Sequence, residues 1–361
     1  MTGRRQIDNG DMSEMMKSLQ YVTVGEPPRI VEVPKPQPGP GEVLLKVTAA
    51  GVCHSDEFIM SLPEEIVMTR WPVPFILGHE GAGIVAELGE GATGASIGDS
   101  VLVYGPWGCG RCSYCVKGDE MLCPVAVREK IAPPGLGSPG AMAEYMIVDS
   151  TRHLVPLGDL DPVASVSLTD AALTPYHAIK TSLPKLGAGS TVVTIGAGGL
   201  GHMAIQILKA ITGATVITLD IAADKRAFAK EMGADYVFDS NPQAVEEVKR
   251  LTGGVGANVV LDFVGIQPTI ELMPQLVAPG GDIQLIGIGN GVLPIGFESL
   301  PFDTNFRGPY WGAIPDLVEV VEMAKRGQIK VEFEAFSLDD GAVAYERLHA
   351  GTLRGRAVIV P

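Results

Sequence analysis

The chain has 361 residues, of which 46% are hydrophobic and 19% are charged, a composition that excludes a small single module or a disordered chain. The formal net charge of −15 argues against nucleic acid as a partner, because phosphate contacts require clustered Lys and Arg. No run reaches the ~20 apolar residues of a membrane helix, and residues 1–18 lack the apolar core of a signal peptide. We therefore expect a cytosolic protein of about two domains, without a membrane partner.

The first half of the chain predicts a β-barrel-like domain. Residues 1–15 are polar with mixed charge, and we expect them to form an extension outside the fold. From there to about residue 155, short β-rich segments alternate with Gly and Pro. The predicted strands lie at residues 18–24, 29–33, 42–49, 83–88, 100–103 and 144–148.

After Leu168 the pattern changes to short apolar strands alternating with longer helical segments, which predicts a doubly wound parallel sheet. The predicted strands are 191–195, 215–219, 236–238, 258–261, 282–286 and 305–310, and the predicted helices are 200–212, 223–232, 242–252 and 269–277. Gly213 and Gly233 are predicted to be helix C-terminal caps. The remainder, with a closing strand at 357–360, is expected to return to the first domain.

A glycine-rich turn, Gly196-Ala-Gly-Gly-Leu-Gly201, links a predicted strand to a predicted helix. Such a turn lets the backbone and the helix N-terminus approach a pyrophosphate. The residues of the predicted loop are Gly196, Gly198, Gly199, Leu200 and Gly201. The next strand ends in Asp220, which can bind the adenosine ribose and would repel a 2′-phosphate, with Lys225 as a further ribose donor. We therefore predict NAD rather than NADP; a tight turn without a ligand is the alternative.

Four of the five cysteines lie close together, at Cys109, Cys112, Cys115 and Cys123. Four soft thiolates on one short loop suit a closed tetrahedral zinc site, whose ion would be structural because no position is left for water. The seven-residue gap before Cys123 makes an iron–sulfur cluster the lesser interpretation. Unligated thiols and a redox pair remain as alternatives.

The fifth cysteine stands in Gly51-Val-Cys53-His-Ser-Asp56, and Gly78-His79-Glu80-Gly81 follows in the same domain. Taken with the four-cysteine loop, the glycine-rich turn and Asp220, these motifs resemble the zinc-dependent medium-chain alcohol dehydrogenases over nearly the whole chain from Met16. The segments 104–109, 168–170, 173–177 and 309–312 are more specifically similar to the bacterial secondary-alcohol dehydrogenases of the Rhodococcus type.

The resemblance implies a mixed α/β protein with two domains. A GroES-like catalytic domain would comprise residues 16–168 and 312–361, and a Rossmann NAD-binding domain residues 169–311. A catalytic zinc ion in the cleft would be bound by Cys53, His79 and Asp170, the last standing where many relatives have a second cysteine. Glu80 corresponds to a carboxylate near the zinc, and Asp56 to the partner that orients His79. The three ligands and the open fourth position are taken from the family and not from spacing.

The resemblance also implies a chemistry. Zinc would lower the pKa of the alcohol, Ser55 would take its proton, and hydride would pass to NAD⁺. Some relatives continue the proton path through a histidine where this chain has Phe58, so His54 could serve that path or the cofactor pyrophosphate. Arg356 corresponds to an arginine that binds a cofactor phosphate, and Thr174 to a residue beside the nicotinamide.

Three large side chains, Phe58, Trp71 and Trp311, would line a pocket suited to secondary alcohols and ketones, although core packing is the alternative for each. We expect two zinc ions and one NAD per chain, and a homodimer or homotetramer paired through the sheet edges of the cofactor domains. The same ligands would serve a dehydrogenase of primary alcohols, aldehydes or polyols. A non-catalytic, zinc-stabilised nucleotide-binding protein would instead hold one metal ion, and a zinc-ribbon nucleic-acid binder conflicts with the negative charge.

Overall fold

The computed structural model describes residues 14–361. The strands of this part of the chain are β1 (Met15–Tyr21), β2 (Arg29–Pro34), β3 (Val43–Val52), β4 (Phe75–Ile76), β5 (Glu80–Leu88), β6 (Ser100–Val103), β7 (Tyr145–Val148), β8 (Leu154–Pro156), β9 (Thr191–Ile195), β10 (Thr215–Leu219), β11 (Tyr236–Phe238), β12 (Ala257–Asp262), β13 (Val277–Leu285), β14 (Asn305–Arg307), β15 (Phe333–Ser337) and β16 (Arg356–Val360). The helices are α1 (His54–Met60), α2 (Glu64–Arg70), α3 (Pro124–Glu129), α4 (Pro162–Ser165), α5 (Leu173–Ser182), α6 (Gly201–Ile211), α7 (Ala223–Glu231), α8 (Gln243–Leu251), α9 (Gln267–Leu276), α10 (Ile314–Lys325) and α11 (Gly341–His349). Every one of these helices is too short or too polar to cross a lipid bilayer.

A seven-stranded sheet forms the first half of the fold, in the order β15-β16-β3-β5-β6-β8, with β7 paired to β3. The long strand β3 lies at its centre, and its antiparallel partners β5 and β16 cover both of its edges near its end. A smaller sheet in the order β2-β1-β4 lies beside it. The carboxyl end of β3 and the beginning of β5 are therefore neighbours, although the two segments are separated in sequence.

The second half is a six-stranded parallel sheet in the order β11-β10-β9-β12-β13-β14. Its central strand β9 is buried along its whole length, as expected for a strand covered by helices on both faces. The strand order reverses between β9 and β12, and ligands of doubly wound sheets bind at such a switch point. The glycine-rich turn follows β9 and therefore opens at this place.

The last segment of the chain returns to the first sheet. Strand β16 pairs antiparallel with the end of β3, and β15 pairs parallel with β16. One hydrophobic core contains buried residues of both large sheets, including Ala49 and Leu102 of the first sheet and Val192 of the second. The two sheets thus contribute to one continuous hydrophobic core, which also contains residues of the helices α5, α6 and α10.

Some predicted boundaries differ from the structure. β1 begins at Met15, so this residue is not part of the predicted extension, and residues 1–13 lie outside the described residues. Gly233 follows α7 with φ +107°, as expected for a cap. The prediction for Gly213 is wrong. α6 ends at Ile211, and the next residue, Thr212, already has extended backbone (φ −131°, ψ 162°). A Cβ on Gly213 would lie 3.1 Å from the backbone nitrogen of Ala188, so close packing and not a left-handed cap accounts for this glycine.

Candidate active site

The four clustered cysteines bring their sulfur atoms together in the loop before α3. Cys112 Sγ lies 3.4 Å from Cys115 Sγ and 3.8 Å from Cys123 Sγ, and Cys109 Sγ lies 3.9 Å from Cys115 Sγ. None of the four forms a disulfide. Sulfurs bound to one zinc ion at ~2.3 Å would be about 3.8 Å apart along a tetrahedron edge. A hydrogen bond from the backbone N–H of Arg111 lowers the pKa of Cys109 to about 6, which favours the thiolate that zinc binds.

A buried carboxylate holds this loop in place. Glu120 accepts hydrogen bonds from the backbone N–H of Gly108 at 2.6 Å, from Arg152 Nε at 2.9 Å and from His153 Nε2 at 3.0 Å. The His153 ring is stacked on Trp107, with ring centroids 5.4 Å apart. Burial opposes the ionisation of Glu120, but His153 and Arg152 lower its pKa to about 2. The loop is therefore tied to the first sheet by a charged, fully bonded group.

The lone cysteine lies directly after β3 and precedes the first residue of α1. Cys53 Sγ is 3.3 Å from Asp170 Oδ2 and 3.5 Å from Ser55 Oγ. Two residues earlier, Gly51 allows β3 to pass Glu80 closely: a Cβ on Gly51 would lie 1.8 Å from Glu80 Oε2. Gly51 therefore allows β3, which ends just before Cys53, to lie directly against the Glu80 side chain at the beginning of β5.

His79 immediately precedes β5 and projects into the same place. Its Nδ1 lies 3.1 Å from Asp56 Oδ1, and because a carboxylate only accepts, Nδ1 carries the proton and Nε2 is left for a metal ion. Nε2 is 4.0 Å from Asp170 Oδ2. The ring packs edge-on against Trp311, with ring centroids 5.5 Å apart. The second oxygen of Asp56 accepts the hydroxyl proton of Tyr345 at 2.8 Å.

A buried guanidinium lies between two carboxylates of the site. Arg356, the first residue of β16, donates to Asp170 Oδ2 at 2.8 Å and is paired with Glu80, while the Thr174 hydroxyl donates to Asp170 Oδ1 at 2.8 Å. Burial opposes the ionisation of Asp170, but Arg356 and His79 hold its pKa below the usual range. Burial raises the pKa of Glu80 to about 7, against the effect of Arg356. Asp170 is therefore the carboxylate that is ready to bind a metal ion at neutral pH.

These donors fit a zinc ion. One donor atom from each of Cys53, His79, Glu80 and Asp170 lies within 4.8 Å of the others, and all four residues are buried. Sulfur, nitrogen and oxygen ligands of one tetrahedral zinc would be about 3.3–3.5 Å apart. A thiolate with an imidazole favours zinc over magnesium or calcium. Oε2 of Glu80 has no hydrogen-bond partner within residues 14–361, which leaves this oxygen available as a further metal ligand.

The glycine-rich loop has the shape of a phosphate cradle. Gly196 has φ +91°, and a Cβ on Gly201 would lie 1.9 Å from the carbonyl oxygen of Gly196, so both positions require glycine. A Cβ on Gly198 would meet no atom within 4 Å, which leaves open space over the backbone. Asp220 lies at the end of β10 and accepts the backbone N–H of Ala197 at 2.9 Å. The predicted ribose carboxylate is therefore next to the loop.

Arg356 also faces this loop. A Cβ on Gly199 would lie 2.6 Å from Arg356 Nη1, and a bulkier residue than glycine would displace the guanidinium. The same side chain thus touches the candidate metal centre and the candidate cofactor loop. In this structure its hydrogen bonds go to Asp170 and Glu80, so its contact with a cofactor phosphate stays a prediction.

Two predicted polar residues have other partners in the structure. His54 is exposed, with Nε2 3.7 Å from Glu57 Oε2. The Lys225 amine donates to the carbonyl oxygen of Leu353, so it is held by the returning segment of the chain. Contacts of these side chains with a pyrophosphate or a ribose therefore require that they turn away from these partners, and both assignments stay predictions.

The three predicted pocket residues differ in their surroundings. Trp311 is buried beside His79, and its indole N–H donates to the carbonyl oxygen of Thr169 at 2.8 Å. Phe58 and Trp71 are partly buried and pack against the hydrophobic core of the first sheet. Trp311 therefore contacts the candidate metal centre through His79, whereas the pocket roles of Phe58 and Trp71 stay predictions.

Sequence reasoning missed two residues that support the two metal sites, Tyr345 and Glu120. Tyr345 comes from α11 and reaches Asp56 across 289 residues of sequence. No local pattern announces such a contact. Glu120 stands three residues before Cys123 inside the cysteine loop, and a buried carboxylate so close to metal-binding thiolates was the available signal.

Comparison with known proteins agrees with this geometry. A family model described as "Alcohol dehydrogenase GroES-like domain" matches residues 39–159, and one described as "Zinc-binding dehydrogenase" matches residues 199–326. An NAD-dependent alcohol dehydrogenase of Sulfurisphaera tokodaii is 34% identical over 96% of this chain and 100% of its own length. A D-arabinose 1-dehydrogenase (NADP(+)) of Saccharolobus solfataricus is 36% identical over 93% of this chain and 95% of its own length.

Among solved structures, acetophenone reductase of Geotrichum candidum in complex with NAD superimposes with a TM-score of 0.85 at 31% identity, covering 98% of this chain and 99% of its own. Two family models in the expected order, relatives matched over 95–100% of their own length and two groups of converging metal-binding side chains agree with one another. The chain belongs to the zinc-dependent medium-chain alcohol dehydrogenase family.

Proposed function

We propose that this protein is an NAD-dependent dehydrogenase that reversibly converts secondary alcohols into ketones. The observation that carries the proposal is the buried convergence of Cys53, His79 and Asp170, with the large Trp311 side chain beside the histidine. Together with Phe58 and Trp71, Trp311 would divide the alcohol pocket into one small and one large lobe, which suits a carbinol with two carbon substituents of unequal size. The similarity to a reductase of acetophenone, an aryl ketone, supports the same substrate class.

The roles of the residues follow from their positions. Cys53, His79 and Asp170 would hold the zinc ion, which lowers the pKa of an alcohol when bound, and NAD⁺ accepts the hydride. Ser55 Oγ lies 3.5 Å from the Cys53 sulfur, so its hydroxyl would relay the alcohol proton, accepting it while passing its own proton on towards solvent. Asp56 keeps the proton on His79 Nδ1 and thereby keeps Nε2 free for the metal ion.

The preference for NAD rests on Asp220. Its carboxylate is fixed beside the glycine-rich loop by the backbone N–H groups of Ala197 and Ala222, at 2.9 Å and 3.0 Å. A fixed negative charge at this position accepts hydrogen bonds from ribose hydroxyls and repels a 2′-phosphate. The relative named for NADP(+) makes this preference a necessary part of the test.

The proposal includes two domains and an oligomer. We place residues 16–168 and 312–361 in the catalytic domain and residues 169–311 in the cofactor domain; the pairing of β16 with β3 supports this division. A homodimer or homotetramer would form through β14, the edge strand of the parallel sheet. Exposed Phe297 and Phe302 precede this strand, which supports an interface there.

A substrate panel tests the proposal. With NAD⁺, kcat/KM is expected to be about tenfold or more higher for 2-propanol and 1-phenylethanol than for ethanol, sorbitol or D-arabinose, because a pocket discriminates by this order. The same rates measured with NADP⁺ are expected to be lower. A preference for D-arabinose would favour the second candidate, a sugar or polyol dehydrogenase, which the similarity to the arabinose enzyme supports.

Metal analysis separates this proposal from a non-catalytic zinc-stabilised binding protein. Two zinc equivalents per chain are expected, one in each group of donors. A single equivalent, with the Cys53→Ala variant indistinguishable from the unaltered protein, would favour the binding protein.

A further inference from the structure

Tyr345 of α11 has no part in the proposed zinc ligands, proton path or cofactor site. Its side chain is buried, with 5% of its surface exposed. The hydroxyl donates a hydrogen bond to Asp56 Oδ2 at 2.8 Å, and the sulfur of Met142 lies 3.5 Å away on the other side. The segment that closes the first sheet thus reaches the carboxylate behind the metal-binding histidine.

Asp56 has few other donors. Only 1% of this residue is exposed, so water does not compensate its charge. Oδ1 accepts from His79 Nδ1 at 3.1 Å. Besides Tyr345, the only donor to Oδ2 within residues 14–361 is the backbone N–H of Cys53, at 3.3 Å. The hydroxyl of Tyr345 therefore makes the shortest of the three hydrogen bonds. A buried carboxylate that loses such a donor is poorly satisfied and free to turn.

We propose that Tyr345 is a positioning residue that fixes the rotation of the Asp56 carboxylate and, through it, the direction of His79 Nε2. The chain of contacts runs from the Tyr345 hydroxyl to Asp56 Oδ2, and from Asp56 Oδ1 to His79 Nδ1. Partners of this kind set the orientation and tautomer of a metal-binding imidazole. The inference rests on the proposed function, because it assumes that His79 binds the catalytic zinc.

The first experiment compares zinc release from Tyr345→Phe and from the unaltered protein. The substitution removes one oxygen and keeps the ring. We expect zinc to leave the Cys53 site about tenfold faster in the presence of a chelator such as dipicolinate, with release from the four-cysteine site unchanged. Tyr176→Phe is the matched control: Tyr176 also donates to a carboxylate, Glu319 at 2.6 Å, but away from both metal sites, and it is expected to release zinc at the normal rate.

A double-mutant cycle with Asp56→Asn tests whether Tyr345 acts through Asp56. We expect Tyr345→Phe to speed zinc release in the normal background and to add less than about twofold in the Asp56→Asn background. With cobalt in the catalytic site, Tyr345→Phe is also expected to shift the visible absorption bands, which a loss of core packing alone would leave in place. Unchanged circular dichroism and an unchanged melting temperature would show that the variant folds.

The outcomes are distinguishable. Additive effects in the cycle, or normal release with unshifted cobalt bands in Tyr345→Phe, would overturn the role of Tyr345 while leaving the proposed function intact. A single zinc equivalent that the Cys53→Ala variant retains would overturn both, because the Cys53 site would then hold no metal ion.

Discussion

At the candidate metal centre, residues that are neighbours in sequence have different contacts. Ser55 is one residue from Asp56 and two from Cys53, yet its hydroxyl is the one placed beside the cysteine sulfur. His54 is their neighbour in sequence, but its ring is exposed and lies next to Glu57. At the first turn of α1, adjacent residues therefore have different surroundings, and the proton path is expected to follow the partly buried Ser55 hydroxyl.

We expect Ser55→Ala to lower kcat far more than His54→Ala, because it removes the hydroxyl that would relay the alcohol proton towards solvent. General-base groups contribute about 10²–10⁴-fold to a rate, and the loss is expected within this range. Steady-state kinetics with a secondary alcohol and NAD⁺ measure the effect, with Ser61→Ala as a control that removes a hydroxyl from the end of the same helix. Equal losses in the Ser55 and His54 variants would contradict the assignment.

The residues of the site differ in how far sequence alone could identify them. The glycine-rich loop has its own spacing after a predicted strand, so a local pattern identified it. Cys53 and His79 indicate little when taken singly, and their roles were predicted only through the family resemblance. The pairing of Arg356 with Asp170 and Glu80 joins residues far apart in the chain. No local pattern determines which partner a buried guanidinium takes, because this depends on how β16 is placed against β3.

At the scale of elements, the four-cysteine loop shows how a polar segment is held. Its backbone is anchored by Glu120, which in turn is clamped by His153 and Arg152. The metal ion would close the loop from one side, and the carboxylate supports it from the other. Removing either is expected to loosen the segment, while the parallel sheet is unaffected.

We expect Glu120→Gln to destabilise the metal-loaded protein by about 1–3 kcal/mol near pH 7, because the charged acceptor of three hydrogen bonds is lost. Despite burial, His153 and Arg152 hold the pKa of Glu120 at about 2, below its ordinary value of 4.5, so its ionisation stabilises the fold above about pH 4.5. This contribution is lost as the pH falls from there towards 2.

Thermal melting of both proteins between pH 7 and pH 3 measures the effect. The difference in melting temperature is expected to be constant above about pH 5 and to shrink in more acid solution. Glu129→Gln, which alters an exposed ion pair with Arg111, is the control. A difference that does not depend on pH would contradict the charged state of Glu120.

The elements predicted best are those with a strong local pattern. Strands 191–195, 215–219 and 236–238 have the predicted bounds, because each is a short apolar run whose ends are marked by nearby polar residues or Gly. The helices α1 and α5 were not predicted. α1 has only seven residues, too few for a periodic pattern, and α5 carries Pro175 in its first turn, which a helix tolerates but a sequence pattern does not favour.

At the scale of the whole molecule, the candidate site belongs to no single sheet. The first sheet places Cys53 and His79, the segment before α5 places Asp170, and the returning strand β16 places Arg356. The glycine-rich loop of the parallel sheet meets Arg356 from the other side. A change in the angle between the two sheets would therefore alter the metal and cofactor sites together.

The proposed oligomer can be tested at this scale. Phe297 and Phe302 are 87% and 70% exposed, and we expect Phe297→Asp to weaken the interface by placing a charge on it. Light scattering coupled to size-exclusion chromatography is expected to give a dimer or tetramer for the unaltered protein and a smaller species for the variant. Ile97→Asp is the control, because Ile97 is 68% exposed in a loop of the first sheet. An unchanged mass in Phe297→Asp would place the interface elsewhere.

The return of the C-terminal strands to the first sheet has a consequence for biosynthesis. The four cysteines of the loop lie close together in sequence, so this loop can bind a zinc ion while the rest of the chain is still being synthesised. The centre around Cys53 is different, because Arg356 follows Cys53 only after all strands of the parallel sheet, β9 to β14. Its ring of charges is completed only after the whole parallel sheet has been synthesised, so we expect the four-cysteine loop to acquire its metal ion before the centre around Cys53 does.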